Sequence, residues 1–285
     1  MIRAWALAAR PKTLSAAIVP VAMAAALAWP RIDWFLLFCA LLGAVLIQIA
    51  TNFINDALDF KKGADTSERL GPVRVTQAGL IRPETVMRAA YLCLFGAALC
   101  GIPLILRAGW PLLVIGLLSI AMAYAYTGGP YPLAYHGLGE LFVILFFGLI
   151  AVGGTFYVLT LTWTRSALLA GLAAGCLATV LLVINNLRDV ESDRRSAKQT
   201  VAVRFGEGFA RFEVVLFALA PFVFASLISR SLWITLLALP LAIALLVLVR
   251  RSHGAALNRS LAMAGALQWA FGILFVIGCT FIAIG

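Results

Sequence analysis

Charge is what this sequence lacks. Only 12% of its 285 residues are Asp, Glu, Lys or Arg, about half the roughly 25% usual for a soluble domain, which excludes an ordinary water-surrounded globule. Histidine is nearly missing too, with two residues in the chain. Neither histidine nor any cysteine stands at zinc-ligand spacing, so nothing favours zinc. The five cysteines, Cys39, Cys93, Cys100, Cys176 and Cys279, are odd in number and all lie within apolar runs. They read as small apolar side chains, and disulfides between them are not expected. No large polar segment remains that could form a separate soluble domain.

What is present is apolar sequence. Hydrophobic residues make up 63% of the chain and the mean hydropathy is +1.02. Apolar runs of about 17 to 25 residues recur along its length, each long enough to cross a bilayer as a helix. Buried strands would last only about 4 to 8 residues. The fold class is therefore an all-α polytopic membrane protein. Nine spans are expected, roughly 13–29, 35–57, 86–106, 110–127, 138–160, 166–186, 212–229, 232–249 and 263–283. Together they read as one transmembrane domain over 1–285, a pseudo-repeat of spans in 13–127 and 138–249 plus a last span. The first run has the basic start and small residues of a signal peptide, but the "RPKT" before it argues against cleavage.

The basic residues fall on one side. Nine spans place 18 of the 22 Lys and Arg on the face that holds the N-terminus and 4 on the other, an asymmetry that sets that face in the cytoplasm of a cell (inner or plasma) membrane. The net charge of +10 is then mostly topology and contact with the anionic leaflet of the lipid bilayer, and no nucleic acid partner is implied.

The acids are placed more selectively still. Eleven of twelve lie on the cytoplasmic side, and two short stretches share a pattern: "NFINDALDFKKGAD" from Asn52 and "INNLRDVESDRRSAKQT" from Ile184. Asn52 and Asp56 are four apart with Asp59 three further on; Asn185, Asp189 and Asp193 are spaced four and four. Residues three or four apart share a helix face, so each helix end presents one amide and two carboxylates. Charges at the lip of a span are costly unless they face a polar cavity or hold something positive. Hard oxygen donors of this kind suit Mg²⁺ with retained waters and phosphate oxygens. Basic residues stand beside both sets: Lys61 and Lys62 after the first, Arg188, Arg194, Arg195 and Lys198 in the second. Carboxylates to hold a divalent ion, with cations beside them to hold an anion, point to diphosphate chemistry.

These stretches resemble the two aspartate-rich motifs of the UbiA superfamily of intramembrane aromatic prenyltransferases. The resemblance extends to "RPKTL", "RLGPVRVTQAGLI", "YTGGPYPLAYHGLGE" and "VAVRFGE", and the Gly-Pro-x-Arg and Tyr-Thr-Gly-Gly-Pro segments favour the naphthoate branch over the hydroxybenzoate branch. It implies nine helices around a central cavity, with helical cap loops on the cytoplasmic side and a sideways opening to lipid. It also implies Mg-dependent transfer of a prenyl group from a polyprenyl diphosphate to 1,4-dihydroxy-2-naphthoate, with loss of CO₂, in menaquinone biosynthesis. By motif, Asn52, Asp56 and Asp59 would hold one Mg²⁺ and Asn185, Asp189 and Asp193 the other, with the four aspartates catalytic. Arg188 and Lys198 would contact the diphosphate, with Lys62, Arg10, Lys12 and Arg74 as further substrate contacts. Tyr124 and Tyr131, from a cluster that includes Tyr126 and Tyr135, would approach the acceptor. Two positions depart from the pattern: Ala197 stands where the family has Gly before the motif lysine, and Asp65 lies further from the first motif than the hydroxybenzoate branch would place it.

The loops 59–84 and 188–211 are long, charged and Gly-bearing, and are expected to form a lid. Phe146, Phe147, Phe156 and Tyr157 are expected to line the spans, where aromatic faces can shelter an allyl cation in a dry chamber. The Gly171-x-x-x-Gly175 pair marks close helix packing. Three alternatives remain open at this stage: another UbiA-type acceptor such as 4-hydroxybenzoate, a lipid-alcohol phosphotransferase, and a secondary transporter with intramembrane acids. The phosphotransferase would need a tighter acid cluster on one helix, and the transporter polar groups at mid-membrane.

Overall fold

The computed structural model describes residues 1–63 and 70–282, so Asp65 lies outside the described residues. Within them the chain is helix and turn with no strand. It begins with α1 (Ile2–Ala9) and α2 (Ser15–Ala28), which meet at a 50° bend, followed by α3 (Trp34–Lys61), α4 (Pro83–Ala108) and α5 (Trp110–Ala125). The second half holds α6 (Gly139–Thr160), α7 (Arg165–Arg188), the short α8 (Val190–Arg195), α9 (Val201–Ile228), α10 (Arg230–Arg251) and α11 (Leu257–Ile282).

Helix ends fall where the local chemistry puts them. Asp33 accepts from the backbone N–H of Phe35 and Leu36 at 3.0 and 3.1 Å, and Thr164 and Thr200 cap α7 and α9 in the same way. Prolines at the first turns of α4 and α5 give up only an N–H that has no helical partner. Gly109, at φ 75°, turns the chain sharply between α4 and α5.

Seven helices are long and apolar enough to cross a bilayer among the described residues, and the bent α1–α2 pair makes an eighth. The span expected over 110–127 forms α5, whose 16 residues rise only about 24 Å, short of a hydrocarbon core about 30 Å thick. Nine full-length crossings are therefore not established. The divide expected at "LTWTR" is real, and Leu161 turns left-handed there at φ 56°. The segment 201–211, expected as part of a lid loop, is instead the start of α9, kinked at Gly206 where φ is 85°.

The small residues of α7 put it at the centre. Of its most apolar window 72% is buried, against 11% for α4 at the periphery. Ala167, Ala170, Ala173, Ala174 and Ala178 let neighbouring backbones approach. The closest approach is to the middle of α6, which widens to a π-helix over Ile144–Ile150. A Cβ on Gly148 would stand 2.8 Å from the Gly175 Cα and closer still to the Gly171 carbonyl; one on Gly175 would meet Ile144 backbone atoms at 2.9 Å. Gly171 and Gly175 thus do the packing their spacing suggests.

Between α2, α3, α4, α5 and α6 lies an apolar chamber of about 420 Å³. Phe146 and Phe147 face it, as expected. Phe156 and Tyr157 do not: Phe156 is buried in the core and Tyr157 stacks on Trp163 at 4.9 Å.

Because the atoms facing Gly148 are backbone and cannot turn aside, Gly148→Leu is expected to leave no monodisperse protein on size-exclusion chromatography. Gly148→Ala should fold but lose about 1–3 kcal/mol in denaturant titration.

Candidate active site

The two acid stripes come together at one ring. Tyr135, in the turn between α5 and α6, donates its hydroxyl to Asp59 Oδ1 at 3.0 Å. The Lys62 ammonium sits 4.5 Å from the ring centre and that of Lys198 5.8 Å. Lys198 pairs with Asp193 at 3.5 Å, and the Tyr135 carbonyl accepts from the Gln199 N–H at 3.0 Å. One residue therefore joins the end of α3 to the segment after α8.

Within the first stripe the roles divide. Asp56 is buried, and its oxygens accept from the backbone N–H of Val75 and Thr76 at 3.1 and 3.0 Å and from the Thr76 hydroxyl. It fastens the cap segment that follows the first motif. Asp59 pairs with buried Arg74 of that segment at 3.6 Å. Asn52 turns its amide to the N-terminal segment, donating to the Ala9 carbonyl and Thr13 Oγ1 at 3.0 and 3.1 Å. Asn55, absent from the expected set, accepts from Thr127 Oγ1. Lys62 has an exposed stem, but its ammonium is tucked against the Thr127 carbonyl at 2.5 Å. That burial lowers its pKa, with Asp59 acting the other way.

In the second stripe, Arg188 binds Asp189 with two N–H groups at 2.8 and 2.6 Å and donates to Asn185 Oδ1 at 2.7 Å. Asp193 is buried and its Oδ2 has no hydrogen-bond partner. Its carboxyl is pushed up to about 6, chiefly by burial, with Lys198 pulling it down and Asp189 pushing it up. Ala197 adopts the left-handed conformation at φ 57° as the Lys198 N–H closes onto the Asp193 carbonyl at 2.9 Å. This turn is glycine's natural place and explains why Gly suits the position before the motif lysine.

Three expected contacts, Lys12, Tyr124 and Tyr131, make no hydrogen bond or ion pair to the acids among the described residues. Lys12 is exposed in the turn Pro11–Thr13 and has no ion pair among the described residues. Arg10 is half-buried at the left-handed corner before that turn. Tyr124 is exposed and packs on Gly128, while Tyr131 is exposed and stacks on His136 at 3.6 Å. The tyrosines at the site are Tyr135 and Tyr126, and Tyr126 lines the chamber with Asp59, Asp193 and Glu140 as charged neighbours. Their signal was positional: both flank the turn in "YTGGPYPLAYHGLGE" that returns the chain to the site.

No three His, Cys, Asp or Glu side chains cluster tightly enough to chelate an ion by themselves among the described residues. The donors still fit magnesium. They are all hard oxygens, they come in two groups, and Asp193 holds a buried carboxylate oxygen with nothing bound to it.

Residues 17–271 match the model of the UbiA prenyltransferase family. The chain is 39% identical over 255 residues to the 1,4-dihydroxy-2-naphthoate octaprenyltransferase of Escherichia coli (strain K12), covering 85% of this chain and 83% of the relative. It is 39% identical over 289 residues to the enzyme of the same name from Mycobacterium tuberculosis, covering 95% and 98%. Its fold superposes on a UbiA homolog from Archaeoglobus fulgidus bound to GPP and Mg²⁺ with a TM-score of 0.64 at 14% identity, covering 96% and 99% of the two chains.

Replacing Ala197 by Gly relieves a left-handed side chain that costs about 1–2 kcal/mol. The variant should melt about 2 °C higher or more in a thermal scan, with its circular dichroism unchanged.

Proposed function

The chain belongs to the UbiA prenyltransferase family, and from that membership we propose that it transfers a polyprenyl group from its diphosphate to 1,4-dihydroxy-2-naphthoate. Diphosphate and CO₂ leave, and the product is demethylmenaquinol, an intermediate in menaquinone biosynthesis. The observation that carries this reading is the meeting of Asp59, Asp193, Lys62 and Lys198 around Tyr135, next to an apolar chamber that Tyr126 lines. A charged head and a long apolar tail are what such a place accommodates.

Asp56, Asp59, Asp189 and Asp193, with Asn52 and Asn185, are the residues that would hold magnesium, which when bound neutralises diphosphate charge as the allylic C–O bond breaks. Arg188, Lys198 and Lys62 bind and orient the diphosphate; Arg74 and Arg10 border the same cytoplasmic face. In the structure three of these cations are already matched to an acid: Arg74 to Asp59, Arg188 to Asp189 and Lys198 to Asp193. The cations would hold a phosphate group and the acids a metal, which would leave no buried charge alone. The C–O electron pair leaves with the diphosphate. The ring carbon bearing the carboxylate forms the new C–C bond, and the pair freed by CO₂ restores the ring. Phe142, Phe146, Phe147 and Tyr126 face the chamber and exclude water from the allylic carbon.

The chamber also fits a long tail. Gly116 lies ten residues below Tyr126 and Gly154 twelve below Phe142, about 15 and 18 Å along their helices. A Cβ on Gly116 would touch nothing and one on Gly154 only Ile115 at 3.9 Å. Beside them Leu113 and Leu117 line the chamber and are 43% and 61% exposed, an apolar wall suited to a lipid tail. The cytoplasmic position of the site follows the placement of 18 of 22 basic residues on its face.

Purified protein in detergent with Mg²⁺ and a polyprenyl diphosphate is expected to prenylate 1,4-dihydroxy-2-naphthoate and release one CO₂ per product. Prenylation of 4-hydroxybenzoate alone would overturn the acceptor assignment. Asp193→Ala should lose about 10²–10³-fold in kcat while keeping its thermal midpoint within a few degrees. Gly116→Phe should lower the ratio of kcat/KM for an octaprenyl over a dimethylallyl donor at least tenfold, because the ring fills the path of the longer tail.

A further inference from the structure

We infer that Asn258, at the start of α11, is a positioning residue that ties the cap segment to the diphosphate-binding arginine. It stands 70 residues from Arg188 and 188 from Leu70, in a stretch of sequence, "AALNRS", that carries no motif acid. Its side chain makes two bonds in opposite senses. Asn258 Oδ1 accepts from Arg188 Nη1 at 2.9 Å, and Asn258 Nδ2 donates to the Leu70 carbonyl at 2.8 Å. An asparagine is one of the few side chains that can accept from a guanidinium and donate to a backbone carbonyl at once.

Both partners matter. The Arg188 side chain is fully buried, and its other N–H groups go to Asp189 and Asn185. When those acceptors turn to other work, the Asn258 bond is the one that keeps the guanidinium in place. Leu70 begins the described cap, which runs from there to Arg74 on Asp59 and to Val75 and Thr76 on Asp56. The cap is thus held at its far end by α3 and at its near end by the turn before α11. Leu70 also lies beside the turn before α11: its Cδ1 is 3.5 Å from where a Cβ on Gly254 would stand, and Gly254 takes a φ of 51°. Through Asn258 the first-motif cap and the second-motif arginine share one hinge point on the last helix. Positioning the diphosphate and covering it become a single event.

The inference rests on the diphosphate role proposed for Arg188, but the cap contact can be tested without it. In Asn258→Ala both bonds are lost. Limited trypsinolysis should cut after Arg74, buried in the wild type, at least fivefold faster. KM for the prenyl diphosphate should rise about tenfold, the usual cost of a hydrogen bond to a charged group, with the naphthoate KM unchanged. A share of turnover should divert to prenyl alcohol, as water attacks the allylic carbon, diphosphate leaves and a proton passes to solvent. Asn258→Asp cannot donate to Leu70 but still accepts from Arg188, so it should match the alanine variant in cleavage after Arg74 while holding the KM nearer the wild type. Unchanged cleavage in both variants, or a naphthoate KM that rises in step with that of the donor, overturns the inference. An inactive wild type that still shows the cleavage difference would defeat the proposed function and leave the cap contact standing.

Discussion

A charge buried beside a membrane must be matched, and this constraint shapes everything at the cytoplasmic end of the molecule. Taking an isolated carboxylate or ammonium out of water costs several kcal/mol even after relaxation. The chain answers with matched sets: Asp59 with Arg74, Asp189 with Arg188, Asp193 with Lys198, and Asp56 with backbone N–H groups of the cap. Such a site is stable without a ligand. On the proposed function it also suits one that arrives as a metal with a phosphate, since each half of that pair would find a counter-group there. Tyr135 makes the two sets one site, by a hydroxyl on Asp59 and a face shared by two lysines.

The rest of the fold serves that meeting. The α6–α7 contact at Gly148, Gly171 and Gly175 admits no side chain, which fixes α6 against the helix carrying the second motif. The turn before α6 carries Tyr135, so close backbone packing inside the membrane sets the position of the ring outside it. On the other face of α6 the packing is loose. Gly154 opens onto the chamber there, and the same helix that is tight against α7 is a wall with room in front of it. A dry compartment next to paired charges lets an electrophile form away from water.

Much of this was legible in the sequence, because membrane helices write their length in apolar runs and their polar ends in charge. The acid-bearing helix ends, the span order and the Gly171–Gly175 contact all follow from spacing. What spacing could not give is which neighbour a polar side chain chooses. Asn52 shares a face with Asp56, yet it spends its amide on Ala9 and Thr13 of the N-terminal segment, 43 and 39 residues away. Among the four tyrosines over 124–135, the local sequence does not distinguish Tyr135 from Tyr131; only the backbone of the turn decides which ring enters the site and which stacks on His136. Phe156 and Tyr157 are aromatic like Phe146 and Phe147, and the π-helical turn that carries the first pair helps set which faces the chamber. Ala197 is the reverse case. A departure from a family pattern became intelligible once its φ of 57° was known.

The convergence of the two stripes on one metal-held head group is tested most directly by anomalous diffraction. Crystals grown with Mn²⁺ and a non-hydrolysable prenyl thiodiphosphate should show two anomalous peaks, one against Asp56 and Asp59 and one against Asp189 and Asp193, with diphosphate density between them and tail density in the chamber. Peaks at only one stripe, or a head group bound away from Tyr135, would contradict the account.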